Sequence, residues 1–169
     1  MEPRSYTQED IDRLREVCYY HGGKLFSKLE RGINVKIGQE LGGSVNKRGY
    51  RSFVVDGQRW LLHRAIFAVA HGYLPECVDH IDHDVRNNNL ENLRPASKAQ
   101  NCANKKVKGV GCRQIKSGKW EAYASDTEKG KRRFVYLGAF VTKEEAEVAS
   151  NSYKKMKYGD FYETETVRQ

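Results

Sequence analysis

Apolar residues recur at helical spacing in some stretches of this chain and alternate in others, and Gly and Asn separate the two regimes. In TQEDIDRLREV, Thr7 followed three residues on by Asp10 predicts a capping-box start to a short helix. From Tyr19 to Leu62, Gly-Gly at 22–23 and 42–43, Asn46, Gly49 and Gly57 divide short runs such as GYRSFVV and RWLL. Those runs are rich in aromatic and β-branched residues and predict hairpins. In HRAIFAVAHGYLP, Ala65, Ile66, Ala68 and Val69 fit a turn and a half of amphipathic helix that follows His63 and is closed by Pro75. PASKAQNCANKK predicts a polar helix starting at Pro95. After the basic joint KKVK at 105–108, SGK and EKGK turns separate three β-like runs. A last helix is predicted from the Thr142 cap, with Glu145 in capping-box register and Ala146, Ala149, Tyr153 and Met156 on its apolar spacing. The chain contains no internal repeat and no low-complexity segment.

Alternation gives the faces of the late strands. In WEAYAS, Trp120, Ala122 and Ala124 share one side, and Glu121, Tyr123 and Ser125 the other. In RRFVYLG, Arg133, Val135 and Leu137 lie opposite Arg132, Phe134 and Tyr136. One helix covers one face of so small a sheet. The apolar side (Trp120, Ala122, Val135, Leu137) is the expected choice, which leaves a basic, tyrosine-bearing face uncovered. Such a face suits nucleic acid. The expected class is therefore α+β, in two small domains: 1–106 with hairpins, and 107–169 with a three-stranded antiparallel sheet and one helix.

Composition adds charge to this picture. The chain has 169 residues and a formal net charge of +8, with a pI near 9.3, which favours a polyanionic partner. No apolar run approaches membrane-spanning length, and MEPRSYTQED carries no apolar leader-like run, so the expected location is cytoplasmic. Cys18, Cys77, Cys102 and Cys112 lie far apart with no C-x-x-C pair. Free thiols are expected, and no structural zinc.

The candidate chemistry sits in VDHIDHDVRNNNLENL, residues 78–93, a polar segment between apolar neighbours. It could be a solvated loop, a metal site or a catalytic centre. A calcium loop fails, because Arg86 and Asn87 stand where an oxygen ligand and a glycine are needed. A one-metal nuclease needs a hard-cation ligand, a general base and a second oxygen ligand. Asp79 and His80 are adjacent and on an extended segment point to opposite sides. A strand–loop–helix return brings Asn101 back as a candidate partner of Asp79, and such oxygens suit Mg²⁺ or Mn²⁺.

VDHIDHDVRNNNLENL with the following RPASKAQN resembles the HNH (ββα-metal) nuclease motif, in the subgroup of phage homing endonucleases, and GYRSFVVDGQRWLLHRAIFAVAHGYLP resembles its lead-in. The motif core spans 78–104. The resemblance implies that His80 is the general base, that Asp79 and Asn101 hold one Mg²⁺ or Mn²⁺ ion, and that Asn92 pins the loop orienting His80. Asn101 replaces a histidine common in the family, and His83 stands where glycine is common. The resemblance also implies double-stranded DNA as substrate, a monomer or homodimer, a host-cell cytoplasmic location if phage-encoded, and no small-molecule cofactor.

KGVGCRQIKSGKWEAYA followed by RRFVYLGAFVTKEEAEVA resembles the AP2 DNA-binding domain. That likeness places Arg113, Tyr123, Ser125, Phe134 and Tyr136 at DNA-contact positions. Lys116, Lys119, Arg132 and the joint residues Lys105 and Lys106 add basic contacts. Several family arginines are not arginine here, so base preference does not carry over. The remaining histidines read as structural: His63 core or backbone-bonded, His71 at a helix end, His21 in a turn, His83 as loop filler. Asp82 and Asp84 read as loop-forming. A non-catalytic DNA-binding regulator keeping an HNH fold is the rival reading, and an RNA-directed nuclease a third.

Overall fold

The structure is a computed structural model that describes residues 6–31, 34–104, 111–128 and 131–162, apart from the side chains of residues 103, 126–128, 131 and 132. Contacts divide the chain into a first unit, 1–97, and a second, 98–169.

The first unit opens with α1 (Gln8–Val17), capped by Thr7 in a reciprocal capping box with Asp10. A hairpin follows, β1 (Cys18–His21) and β2 (Lys24–Ser27), turning at Gly22-Gly23 with both residues at positive φ. Next comes a three-stranded antiparallel sheet in sequence order: β3 (Ser44–Val45), β4 (Arg51–Val55) and β5 (Gln58–Leu61). Asp56 and Gly57, at φ 48° and 79°, make its tight β4–β5 turn. Helix α2 (Leu62–His71) is continuous with β5. Gly72, at φ 75°, ends it, so Gly72 rather than Pro75 is the stop signal. The helix is also longer than the expected turn and a half, because His63 lies inside it.

The core of this unit forms where α1 and α2 meet the hairpin and the sheet. Leu14, Leu25, Trp60, Leu62, Ile66 and Phe67 are buried there, with the free thiol of Cys18 among them. Each large apolar side chain so buried contributes about 1.5–3 kcal/mol. Tyr6 stacks on Trp60 at 4.1 Å between ring centroids, and its hydroxyl donates to the Arg59 carbonyl.

A second hairpin completes the unit: β6 (Cys77–His80) pairs antiparallel with β7 (Leu93–Ala96), with a 3-10 turn at Leu90–Asn92 before β7. Val78 and Leu93 anchor this hairpin in the core. Pro95, expected to start a helix, instead lies in β7 opposite Val78. The helix that follows, α3 (Lys98–Ala103), is only six residues long. Pro95 tolerates the strand because it is exposed and the hairpin has only two strands.

In the second unit, β8 (Cys112–Gln114), β9 (Trp120–Glu128) and β10 (Lys131–Phe140) form an antiparallel sheet with β9 in the middle. Helix α4 (Lys143–Tyr158), capped by Thr142 and Glu145 in a capping box, packs against all three strands. Ala122, Ala124 and Ala146 are buried in this contact, whereas Trp120, Val135 and Leu137 are only half-buried. Met156, expected on the packed face of α4, is 78% exposed, and Ser150 is fully buried instead. The Ser150 hydroxyl donates to the Tyr123 carbonyl, while Tyr123 N donates to the Gly111 carbonyl. A side chain at Gly111 would collide with both Tyr123 O and Ser150 Oγ, so only glycine fits there. Among the described residues no helix is long and apolar enough to cross a membrane.

Burial of His63 has a consequence for stability. Desolvation, then the nearby His80 and Arg64 charges, push its pKa down to about 3. The unfolded chain protonates this residue as pH falls through about 6.5, and the folded chain only near 3. Between those values the unfolded state binds more protons. The His63 contribution is thus complete above about 6.5 and is lost as pH falls, by at most about 1.4 kcal/mol per pH unit. Urea unfolding from pH ~7 down to ~4 should show this loss, and His63→Gln should flatten the slope relative to wild type.

Candidate active site and nucleic-acid interface

β6 carries Asp79 and His80 out of the core, both nearly buried at 6% and 5% exposure. Their neighbours differ. Asp79 faces Arg94 across the hairpin, and Arg94 Nε donates to Asp79 Oδ2 at 3.0 Å. A buried carboxylate needs such a partner, because desolvating an unpaired charge costs several kcal/mol.

His80 sits in a different setting. Its ring centroid lies 5.0 Å from that of His63 and 6.2 Å from that of Tyr50. Its Nε2 lies 3.2 Å from Asn88 Oδ1. The Asn88 amide nitrogen donates to the Arg86 carbonyl at 3.1 Å, which assigns the oxygen as the atom facing His80. An acceptor at that place calls for a proton on Nε2, so the neutral ring carries its lone pair on Nδ1.

The loop that presents Asn88 is tied together by a set of polar bonds. Asn92 Nδ2 donates to Asp82 Oδ1 at 2.9 Å and to the Asn87 carbonyl at 2.8 Å, and Asn92 Oδ1 accepts from Asp82 N at 3.0 Å. Asp82 also receives Asn87 Nδ2 and the Asp84 amide. Burial pushes the Asp82 carboxyl up, but the bonds from Asn87, Asp84 and Asn92 outweigh it and hold the pKa below its ordinary value. Asp84 caps Arg86 through backbone and side chain. Both aspartates are therefore spent on loop structure, as the sequence suggests.

The N-terminal hairpin braces the same loop. Tyr20 Oη accepts from Gly23 N and from Leu90 N, and a side chain at Gly23 would meet Asn89 Oδ1 at 2.7 Å. Within the loop, His83 adopts φ 65°, a left-handed conformation that glycine takes without strain.

Asp79, His80 and Asn92 thus stand together in the first unit, and Asn101 stands on α3, which the division assigns to the second. His63, Tyr50, Asn88 and Arg94 are neighbours the sequence reading did not single out for the site. Arg94 becomes legible once the β6–β7 register is known, because Asp79 and Arg94 are then cross-strand partners. Asn88 stands in an asparagine run with no signal separating it from Asn87 and Asn89. Among the described residues no three His, Cys, Asp or Glu side chains converge on one point. Asp79 offers a carboxylate and Asn101 an amide oxygen, donor types that each suit a hard cation.

The exposed face of the second unit gathers the other candidates. Phe134 and Tyr136 are 67% and 62% exposed. They pair across the strands with Ser125 and Tyr123, and Tyr123 meets Phe134 edge-on at 6.2 Å. Arg113 stands on the same face, ion-paired to its cross-strand neighbour Glu121 at 2.9 Å. Lys116 and Lys119 occupy the exposed turn between β8 and β9. Lys105 and Lys106, with the 105–108 joint, lie outside the described residues, as does the side chain of Arg132.

The HNH endonuclease family model matches residues 61–103, about a quarter of the chain, which supports a nuclease domain acting on DNA over the stretch that holds Asp79, His80, Asn92 and Asn101. No curated protein and no solved structure matches the chain.

The left-handed φ at position 83 gives a stability test. Replacing His83 with Gly should raise unfolding free energy by about 1 kcal/mol by removing backbone strain, read as a higher urea midpoint at unchanged slope. His83→Val should lower it, since a β-branched residue is strained further there.

Proposed function

We propose that this protein is a metal-dependent DNA endonuclease that hydrolyses phosphodiester bonds, with His80 as the general base. The observation that carries this reading is the His80 setting: a nearly buried imidazole whose Nε2 is bonded to Asn88, within the loop that Asn92 ties together. That arrangement leaves the basic lone pair on Nδ1 and fixes the ring. A neutral imidazole held in this way can accept a proton from water at that nitrogen.

His80 Nδ1 takes a proton from the attacking water, the water oxygen bonds to phosphorus as the bond to the 3′ oxygen breaks, and the departing 3′ oxygen takes a proton from solvent water. The products carry 5′-phosphate and 3′-hydroxyl ends. Asn92 acts through the loop, and Asn88 through the His80 tautomer. Asp79 and Asn101, placed by the motif, would hold Mg²⁺ or Mn²⁺. When bound, that ion stabilises charge developing on the scissile phosphate and the leaving oxygen.

The second unit addresses the DNA. Its exposed aromatic and basic face, carrying Arg113, Tyr123, Ser125, Phe134 and Tyr136, lies against the duplex as an AP2-like sheet, with Lys116, Lys119, Arg132, Lys105 and Lys106 adding phosphate contacts. The pairing of an HNH unit with an AP2-like unit is that of phage homing endonucleases, and that is the role we assign to the whole chain.

His80→Ala should lower the single-turnover cleavage rate by roughly 100- to 10,000-fold while duplex affinity in EDTA stays near that of wild type. A variant that cuts at the wild-type rate removes His80 from the chemistry.

A further inference from the structure

The turn between β3 and β4 is built rigidly and seated on the loop that follows His80. Asn46 Oδ1 accepts from the Arg48 and Tyr50 amides at 2.9 and 3.1 Å. Gly49 N donates to the Asn46 carbonyl, and Asn46 N to the Tyr50 carbonyl. Gly49, at φ 85°, abuts Val85 so closely that a Cβ would come within 3.1 Å of Val85 Cγ2. Tyr50 places its ring 5.2 Å from that of His63 and 6.2 Å from that of His80. One end of this turn therefore lies against the His80 neighbourhood, and its tip is Lys47-Arg48.

Both tip residues are exposed. Among the described residues neither forms an ion pair, whereas Arg13, Lys24, Arg51, Arg86 and Arg94 of the same unit each hold an acid. Two adjacent cations on a fixed turn repel each other and bury nothing that would repay the repulsion. A polyanion brought to His80 supplies the missing counter-charge. The planar Arg48 guanidinium matches a phosphate in forked geometry, and Lys47 adds a point charge with rotatable donors.

We propose that Lys47 and Arg48 form a phosphate-gripping turn that holds the DNA backbone beside His80. It is a contact site separate from the aromatic face of the second unit, and its place beside the cut rests on the nuclease reading above. Being directed at phosphate oxygens, the grip is indifferent to base sequence and sensitive to salt.

The test uses the full chain carrying Lys47→Ala together with Arg48→Ala. Affinity for a labelled mixed-sequence duplex is measured in EDTA across a salt series, and nicking of supercoiled plasmid is measured separately in Mg²⁺. Loss of two phosphate contacts should make the slope of log affinity against log salt shallower by about 1.8. Plasmid nicking at limiting protein should fall with it. The charge-keeping pair Lys47→Arg and Arg48→Lys should retain the wild-type slope. Lys36→Ala, which removes an exposed lysine from another loop, should also leave the slope intact, unlike Arg48→Ala alone.

An unchanged slope with wild-type nicking in the double alanine variant overturns the grip and leaves the nuclease reading standing. A shallower slope in a protein whose wild type cuts neither the plasmid nor a mixed genomic library supports the grip and overturns the nuclease reading.

Discussion

The loop between Ile81 and Asn92 has little apolar surface to bury, so amide and carboxylate groups decide its shape, and the Asn92 side chain is where they cross. Its two amide protons reach Asp82 and the Asn87 carbonyl, and its oxygen takes the Asp82 amide. Asn92 itself is buried, and a polar group stranded there costs about 1–3 kcal/mol. Asn88 is placed by this loop, and Asn88 in turn meets His80. The β6–β7 hairpin supplies the fixed end of the arrangement, since Val78 and Leu93 tie it to the core while Asp79 and His80 occupy the adjoining positions. The chemistry proposed for His80 thus depends on a polar cross-link at one end and apolar anchors at the other.

Much of this fold is legible in the sequence, for local reasons. Thr7 with Asp10 and Thr142 with Glu145 are signals carried within a single turn, and both helices start where those residues stand. The hairpin at Gly22-Gly23 is equally local. The misreadings fall where tertiary context decides. His63 looks like a residue ahead of a helix, yet strand β5 passes into α2 without a loop and draws His63 inside. Pro95 is a reasonable helix start taken alone, but the residues facing it complete a two-stranded hairpin. Met156 has the right spacing for a packed position, but the small alanines of β9 are covered by Ala146 and Ser150 earlier on α4.

The site divides in the same way. Residue types and placement single out Asp79, His80 and Asn101, and the resemblance to the HNH motif adds Asn92, but nothing in the order of residues says that Arg94 pairs with Asp79 or that Asn88, among four asparagines, meets the imidazole. The first fact belongs to the register of β6 on β7 and the second to the loop between them. The two units also divide the labour. In the first, buried polar groups hold one imidazole in place; in the second, aromatic side chains remain exposed on a sheet whose other face α4 covers. Exposed aromatics of this kind cost solubility unless a partner covers them, and the net charge of +8 favours a partner that is a polyanion.

The claim that a polar cross-link organises a phosphodiester-cutting centre is tested most directly with Asn92→Ala beside wild type, on supercoiled DNA in Mg²⁺ and in EDTA. The account predicts nicking by wild type in Mg²⁺ and none in EDTA. It also predicts that Asn92→Ala binds DNA as wild type does but nicks at least about tenfold more slowly. Equal rates for the two proteins, or no metal-dependent cutting by wild type even on a mixed genomic library, would contradict it.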